Sequence, residues 1–199
     1  MIGIVDYEAG NLNSVQKAFD FLEKESKILK SPEGWGNIQH LVLPGVGSFG
    51  FAMQRIQEKK LKKPLIEWIE SGRPFLGICL GFQLLFESSE EFPGIEGLSI
   101  FKGTCRRFTG KKVPQIGWND IHVARSVEWI QEIGNGEFFY FNHSYYVVAE
   151  EEEVVVATSC YNVEFTCIAG KGKVYGVQFH PEKSGRTGLK LLQNWAERC

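Results

Sequence analysis

Residues 75–86 read FLGICLGFQLLF, and Cys79 stands in that run between Gly77 and Gly81. The residues before the cysteine, RPFLGIC, have the apolar character of a buried strand. Those after it, LGFQLLFESS, read as an amphipathic helix. Glycine, any residue, nucleophile, any residue, glycine at a strand-to-helix junction is the nucleophile-elbow spacing, with cysteine in place of serine. Each part has a reason. A sharp turn lifts the side chain clear of the sheet edge, and glycines are needed where strand, turn and helix crowd together. A sulfur at a helix N-terminus is favoured as thiolate. The first N–H groups of that helix, Leu80's foremost, face any oxyanion formed beside it. A buried cysteine with packing glycines would leave the same trace, so the elbow needs a base and a group to orient that base.

Working outward, strand and helix patterns alternate on the N-terminal side. IGIVDY (2–7) reads as a strand, 12–25 as a helix capped by Asn11 or Asn13, and 26–30 as a strand. QHLVLPGVGSFG is a strand followed by a glycine-rich turn, with helices expected near 51–59 and 64–72; Pro64 starts the second and Gly72 ends it. Such repetition implies right-handed crossovers and a mainly parallel sheet covered by helices. Beyond residue 104 the pattern turns to strands and tight turns: TCRRF, IGWNDIHV, FFYFNHSYYVV, VVVATSCY, EFTCIAG and KVYGVQFH. A closing helix spans 187–198. The expected fold is α/β, one domain over 1–199, with a mainly parallel central sheet, flanking helices and extra antiparallel strands in the second half.

Composition excludes several classes. The chain has 199 residues, 43% hydrophobic and 23% charged, with 15 Phe and 5 Trp, enough for a sizeable core. Its 22 basic and 24 acidic residues leave a formal charge of −2, which argues against a nucleic-acid binder. No apolar run reaches the ~18–20 residues of a membrane span, and the opening MIGIVDY lacks a basic leader, so a cytoplasmic protein is expected. The 5 cysteines show no C-x-x-C pair and no zinc spacing, so no metal, cofactor or disulfide framework is expected.

Of 4 histidines, His40 and His122 lie inside strand-like runs and suit packing, and His143 lies in NHSYY. His180 ends the strand VYGVQFH and is followed by Pro181 and Glu182. That puts a base at a sheet edge, with a carboxylate two residues on to hold its tautomer. The PGVG turn at 44–47 follows another parallel strand, so Val46 or Gly47 can bring a second backbone N–H toward Cys79.

PGVGSFGFAM, GICLGFQLLFE, NHSYY and GVQFHPEKSG resemble the class I glutamine amidotransferases over essentially the whole chain. Within them they are most similar to the glutaminase subunits of imidazole glycerol phosphate synthases. The resemblance implies that Cys79 attacks the amide of L-glutamine, that His180 moves the proton and that Glu182 orients His180. It implies Val46, Gly47 and Leu80 for the oxyanion hole, and Gly45, Gln83, Glu91, His143, Ser144 and Tyr145 for substrate. It also implies a partner, a TIM-barrel cyclase receiving ammonia, docked through Asn11, Asn13, Trp118 and Lys183. Glu8, Gln115 and Asn142 depart from the family pattern, Glu8 adding a charge near the expected partner surface. Glutaminases serving sugar-aminating enzymes, stand-alone cysteine hydrolases and silent binding subunits are the other readings. Leu80, where such hydrolases carry histidine, speaks against the second.

Overall fold

The protein is described by a computed structural model covering residues 1–110 and 112–199. Its first half runs β1 (Ile2–Val5), α1 (Leu12–Phe21), β2 (Ser26–Leu29), β3 (His40–Gly45), α2 (Phe49–Glu58), α3 (Lys62–Glu70) and β4 (Phe75–Cys79). A single helical turn, α4 (Leu80–Gln83), leads to β5 (Phe86–Ser89) and β6 (Phe101–Arg107). Then come β7 (Gln115–Asp120), β8 (His122–Val123), β9 (Phe138–His143) and β10 (Tyr145–Ala149). The chain closes with β11 (Val155–Cys160), β12 (Glu164–Lys171), β13 (Val174–Val177) and α5 (Gly185–Arg198).

The main sheet has the order β2-β1-β3-β4-β13-β12-β10-β6-β5, with β11 paired to β12 and β8 to β11. From β2 to β13 every pairing is parallel. The pairings of β12 with β13, β10 and β11 and of β10 with β6 are antiparallel, and β5 lies parallel to β6. β7 and β9 form a separate antiparallel ribbon. A mainly parallel α/β sheet with an antiparallel extension is therefore the architecture.

Strand alternation splits the core in two. Ile2, Ile4, Val42, Leu76 and Ile78 meet Val15 and Phe19 of α1 and Leu191, Leu192 and Trp195 of α5. Val5, Leu41, Leu43 and Phe75 face the other way, onto Phe49, Met53 and Ile56 of α2 and Leu65 and Trp68 of α3. Strands covered on both faces are apolar throughout, as parallel sheets require. Asn11 caps α1, its Oδ1 accepting from Ser14 N at 3.4 Å. The helix stops at Phe21, short of 25. Glu23 takes φ +55°, and the Lys24 and Glu23 N–H groups return to Phe19 and Asp20 carbonyls, a Schellman closure. Gly72 ends α3 at φ +72°.

Three expectations are corrected. The helix after Cys79 is one turn, and Phe86–Ser89, expected in that helix, forms β5 instead. Leu84, Leu85 and Phe86 are all fully buried, so the run has no solvent face to mark a helix, and pairing with Phe101 of β6 decides its form. The strand expected over 116–123 breaks at buried Ile121, with β7 in the ribbon and β8 against β11. The strand expected over 138–148 breaks at Ser144, with β9 in the ribbon and β10 in the main sheet.

Adjacent parallel strands then deliver the site. Gly45 of β3 is in register with Cys79 of β4, and Val177 of β13 with Ile78. Their carboxyl ends carry the Gly45–Gly47 turn, the cysteine and His180, where ligands bind in open α/β sheets.

Candidate active site

The elbow is built by crowding. A Cβ on Gly81 would lie 1.8 Å from the Leu43 carbonyl oxygen, and one on Gly77 would lie 2.6 Å from the Gly81 oxygen. One on Gly45 would lie 2.3 Å from the Tyr7 hydroxyl. Backbone cannot yield at such distances, so glycine is required at 77 and 81. Cys79 itself takes φ +55° and ψ −107°, a conformation that L-residues avoid. It is held there because strand, turn and helix leave no alternative.

Cys79 and His180 line one cavity of about 270 Å³, with Val46, Gly47, Leu80, Gln83, Glu91, Asn142, His143, Ser144, Tyr145 and Lys183 also in its wall. That volume lies just under the ~300–1,000 Å³ of drug-sized sites and suits one small polar molecule. Larger grooves of about 690, 620 and 440 Å³ lie elsewhere and hold neither a cysteine nor a histidine.

His180 Nδ1 is 2.9 Å from Glu182 Oε1, and both side chains are almost wholly buried. The carboxylate makes Nδ1 the donor and leaves Nε2 for the thiol. Burial acts to lower the His180 pKa. The Cys79 thiol, as charge and hydrogen-bond partner, and Glu182 outweigh it and raise the value to about 10. The imidazole is therefore a strong proton acceptor opposite the sulfur. α4 has one turn only, so the dipole it presents to Cys79 is short.

At the oxyanion positions, Leu80 N–H begins α4 and has no intrahelical acceptor by geometry. Gly47 takes φ +101° and Val46 is largely exposed, so the turn presents backbone with little side-chain cover. Gln83 Nε2 donates to Tyr145 O (2.9 Å) and Gln178 Oε1 (3.1 Å), which fixes the side chain in the cavity wall. Glu91 Oε2 accepts the Phe49 N–H at 2.7 Å, capping α2 where Ser48 supplies no side-chain cap. His143 Nδ1 is 2.8 Å from the Tyr145 carbonyl and so must donate to it, leaving Nε2 buried without a partner among the described residues. Burial lowers the His143 pKa to about 4, against the Tyr145 hydrogen bond and with the His180 charge.

The expected partner-facing residues divide. Trp118 and Asn13 are exposed, and Lys183 sits at the cavity wall, 6.0 Å above the Tyr140 ring. Asn11 instead lines a narrow gap against Glu182. Glu8 does not stand free as a surface charge: it pairs with Arg55 and, at 2.9 Å, with Lys59 on and just past α2. Gln115 is buried, opposite His143 in the ribbon.

Sequence reasoning missed Gln178. It is fully buried, accepts from Gln83 and points Nε2 at Cys79 Sγ, 3.9 Å away. The trace was present, a lone polar residue inside the apolar run VYGVQFH. The Asn142 carbonyl also lies 3.9 Å from the sulfur, a main-chain contact that no side-chain pattern announces.

The family model described as glutamine amidotransferase class-I matches residues 4–199. A protein named imidazole glycerol phosphate synthase subunit HisH from Desulfitobacterium hafniense is 46% identical over 99% of this chain and 94% of its own length. Similar proteins of that name include one from Geobacillus sp., 48% identical over 98% and 96%, and HisH 1 of Methanococcus maripaludis, 45% over 99% of each. A crystal structure titled glutamine amidotransferase superposes with a TM-score of 0.78 at 19% identity, over 98% and 97% of the two chains. PurLQS from Thermotoga maritima gives 0.77 at 20%, over the same shares. By the family match and these relatives, the chain belongs to the class I glutamine amidotransferases.

Proposed function

We propose that this chain is a glutaminase subunit. It hydrolyses L-glutamine to glutamate and ammonia through a Cys79 thioester, and it delivers the ammonia to a synthase that makes imidazole glycerol phosphate in histidine biosynthesis. The single observation carrying this reading is the shared cavity: sulfur, imidazole and cavity-wall backbone donors meet there, with a buried carboxylate on the imidazole.

The steps follow from the groups present. Glutamine enters with its amino-acid end toward His143, Ser144, Tyr145 and Glu91, and its side chain toward Gln83 and Gly45. Sγ adds to the amide carbon as its proton passes to His180 Nε2. The oxyanion is received by Leu80 N–H and by the N–H of Val46 or Gly47. His180 returns the proton to the departing nitrogen, the C–N bond breaks, and ammonia leaves a thioester. Water then attacks with His180 as base, the C–S bond breaks, and glutamate is released. Glu182 holds the Nδ1–H tautomer throughout.

The partner is the acceptor of ammonia. In water at neutral pH ammonia is mostly the non-nucleophilic ammonium ion, so it must pass under cover to a second site. The relatives' name carries over a synthase subunit as that partner, and the family resemblance gives it a TIM barrel. The ribbon supports docking: Ile116, Trp118 and Phe138 are exposed apolar side chains on its outer face, and the inner-face Phe139 and Phe141 are fully buried. Asn11, Asn13 and Lys183 are the polar candidates around it.

The test is glutamine-dependent ammonia release by the wild type and by Cys79→Ala, with and without the synthase subunit. The alanine variant is expected to lose glutamine use by at least ~10³-fold, while its complex still runs on added ammonium salt. Glutamine turnover that survives the substitution sinks the proposal.

A further inference from the structure

Gln178 follows directly on β13, two residues before His180, and it is fully buried. Its N–H donates to the Cys167 carbonyl at 2.8 Å, which pins the backbone to β12. Gly176, two residues back, has no room for a Cβ, which would lie 2.2 Å from the Phe82 ring, so α4 rests directly on this stretch. The triad and the substrate residues leave Gln178 without a role.

The orientation of its amide is set by its neighbours. The Tyr145 carbonyl can only accept, so the Gln83 atom 2.9 Å from it is Nε2. The other hydrogen of that Nε2 goes to Gln178, 3.1 Å away, so Gln178 must present Oε1 there. Nε2 of Gln178 then faces Cys79 Sγ at 3.9 Å, a hydrogen bond at the longer reach that sulfur's size allows. Turning the Gln178 amide over would set N–H against N–H at Gln83 and oxygen against sulfur. The other contacts of the sulfur differ in kind. The Asn142 carbonyl, also 3.9 Å away, accepts from a thiol but offers nothing to a thiolate. His180 is a hydrogen-bond partner of the thiol, but turnover also needs it at the departing nitrogen and the attacking water.

We propose that Gln178 is a catalytic residue for thioester hydrolysis, its Nε2–H receiving the charge that forms on Sγ as the C–S bond breaks. Water adds to the thioester carbon, its proton goes to His180 Nε2, and an oxyanion forms. When that oxyanion collapses to a carbonyl, the C–S electron pair passes to sulfur. The His180 proton faces the oxygen it came from, while Gln178 already donates to the sulfur. The products are glutamate, formed as the acid that gives its proton to water, and a Cys79 thiolate beside the His180 imidazolium. A sulfur stabilised in this way leaves faster but attacks less readily, because a donor that holds its charge also lowers its nucleophilicity. The N–H therefore favours the second half of the reaction over the first. The proposal rests on the Cys79 thioester reading above.

Two substitutions test it in the complex with the synthase subunit. Gln178→Met keeps an unbranched side chain of similar size without a donor. Gln178→Asn keeps an amide that, one methylene shorter, cannot reach Gln83 and the sulfur together. Glutamine turnover is followed beside acid quenching in the steady state, with intact mass reporting the fraction of chains that carry a glutamyl group on Cys79. Gln178→Met is expected to lower kcat about tenfold, the worth of one hydrogen bond to a charged group. KM should fall nearly as far, and most chains should carry the glutamyl group, because slowed hydrolysis leaves the thioester standing. Gln178→Asn should show the same pattern more weakly. Thermal unfolding accompanies both, and if the methionine variant fails to fold, the asparagine variant carries the test. A lower kcat without accumulated thioester, whatever KM does, means that Gln178 only braces Gln83, and it overturns the proposal. Wild-type kcat and wild-type thioester levels in the folded variants overturn it as well. Failure of the thioester reading itself looks different, since Cys79→Ala would then still hydrolyse glutamine.

Discussion

Two imidazoles stand in one cavity under opposite rules, and neighbours explain the difference. Burial disfavours charge on both. His180 faces a thiol and a carboxylate that reverse the burial effect, raising its pKa to about 10. His143 has only a carbonyl and three aromatic rings around it, beside the His180 charge, and its value falls to about 4. The consequence for stability can be signed. Folded His143 stays neutral down to about pH 4, while in the unfolded chain it takes up a proton below about pH 6.5. Stability is therefore lost as pH falls through that window, by up to about 3 kcal/mol. His180 carries the opposite sign: with its value raised to about 10, its contribution to stability is full below about pH 6.5 and is lost as pH rises from there through about 10. Urea titrations at pH 7, 6 and 5 check this, with His143→Asn expected to flatten the acid decline. The meeting of Cys79 and His180 in one cavity, with Glu182 on the imidazole, was legible in the sequence because GICLG and FHPE each join a reactive side chain to the residues that shape its backbone. Gln178 was not, because its partners Gln83 and Cys79 lie 95 and 99 positions away.

Among elements, legibility followed local against non-local causes. α1, α2, α3 and the strands between them carry their period within themselves, so they could be read one at a time, although the Glu23 closure that ends α1 at Phe21 was not read. β5 could not. LLF is apolar in any conformation, and only β6, with Phe86 opposite Phe101, decides that it extends. The breaks at Ile121 and Ser144 are of the same kind, since alternation marks a strand but not the sheet it joins. One such non-local link supports the Gly45–Gly47 turn. Glu91, just past β5, accepts the Phe49 N–H that begins α2, and α2 follows directly from Gly45–Ser48. Glu91→Ala is expected to cost about 1–2 kcal/mol in chemical denaturation, the usual worth of a lost cap with a charged acceptor. It should also raise KM for glutamine, because the same carboxylate lines the cavity. Glu91→Gln, which keeps a cap oxygen, should recover most of the stability but not the KM. Recovery of both would leave Glu91 a structural cap alone.

At the scale of the molecule, the second half of the chain does two things to the parallel sheet that the first half builds. Through β13 and the turn after it, it places His180 beside β4, and through the β7–β9 ribbon it raises an apolar face close by. His180 N–H donates to the Tyr140 carbonyl at 2.9 Å, and Ser184 Oγ accepts the Tyr140 N–H at 3.0 Å, so one main-chain bond and one serine hydroxyl tie the ribbon to the His180 turn. A partner pressing on Trp118 and Tyr140 thus presses on the segment that holds the base. That geometry predicts a separable effect for Trp118, which is 56% exposed and packs edge-on to Tyr140 at 6.3 Å. Trp118→Ser removes no core side chain, so unfolding of the isolated chain should shift by less than about 0.5 kcal/mol. Its affinity for the synthase subunit should fall by about 2 kcal/mol or more, roughly thirtyfold, as exposed tryptophans at interface centres do. Titrating the synthase against glutamine-dependent turnover measures both parts at once. Half-activation should move to higher synthase concentration while turnover at saturation returns toward wild type. An unchanged half-activation point would place the docking face elsewhere, and a lowered plateau would mean that Trp118 acts on the His180 turn as well as on affinity.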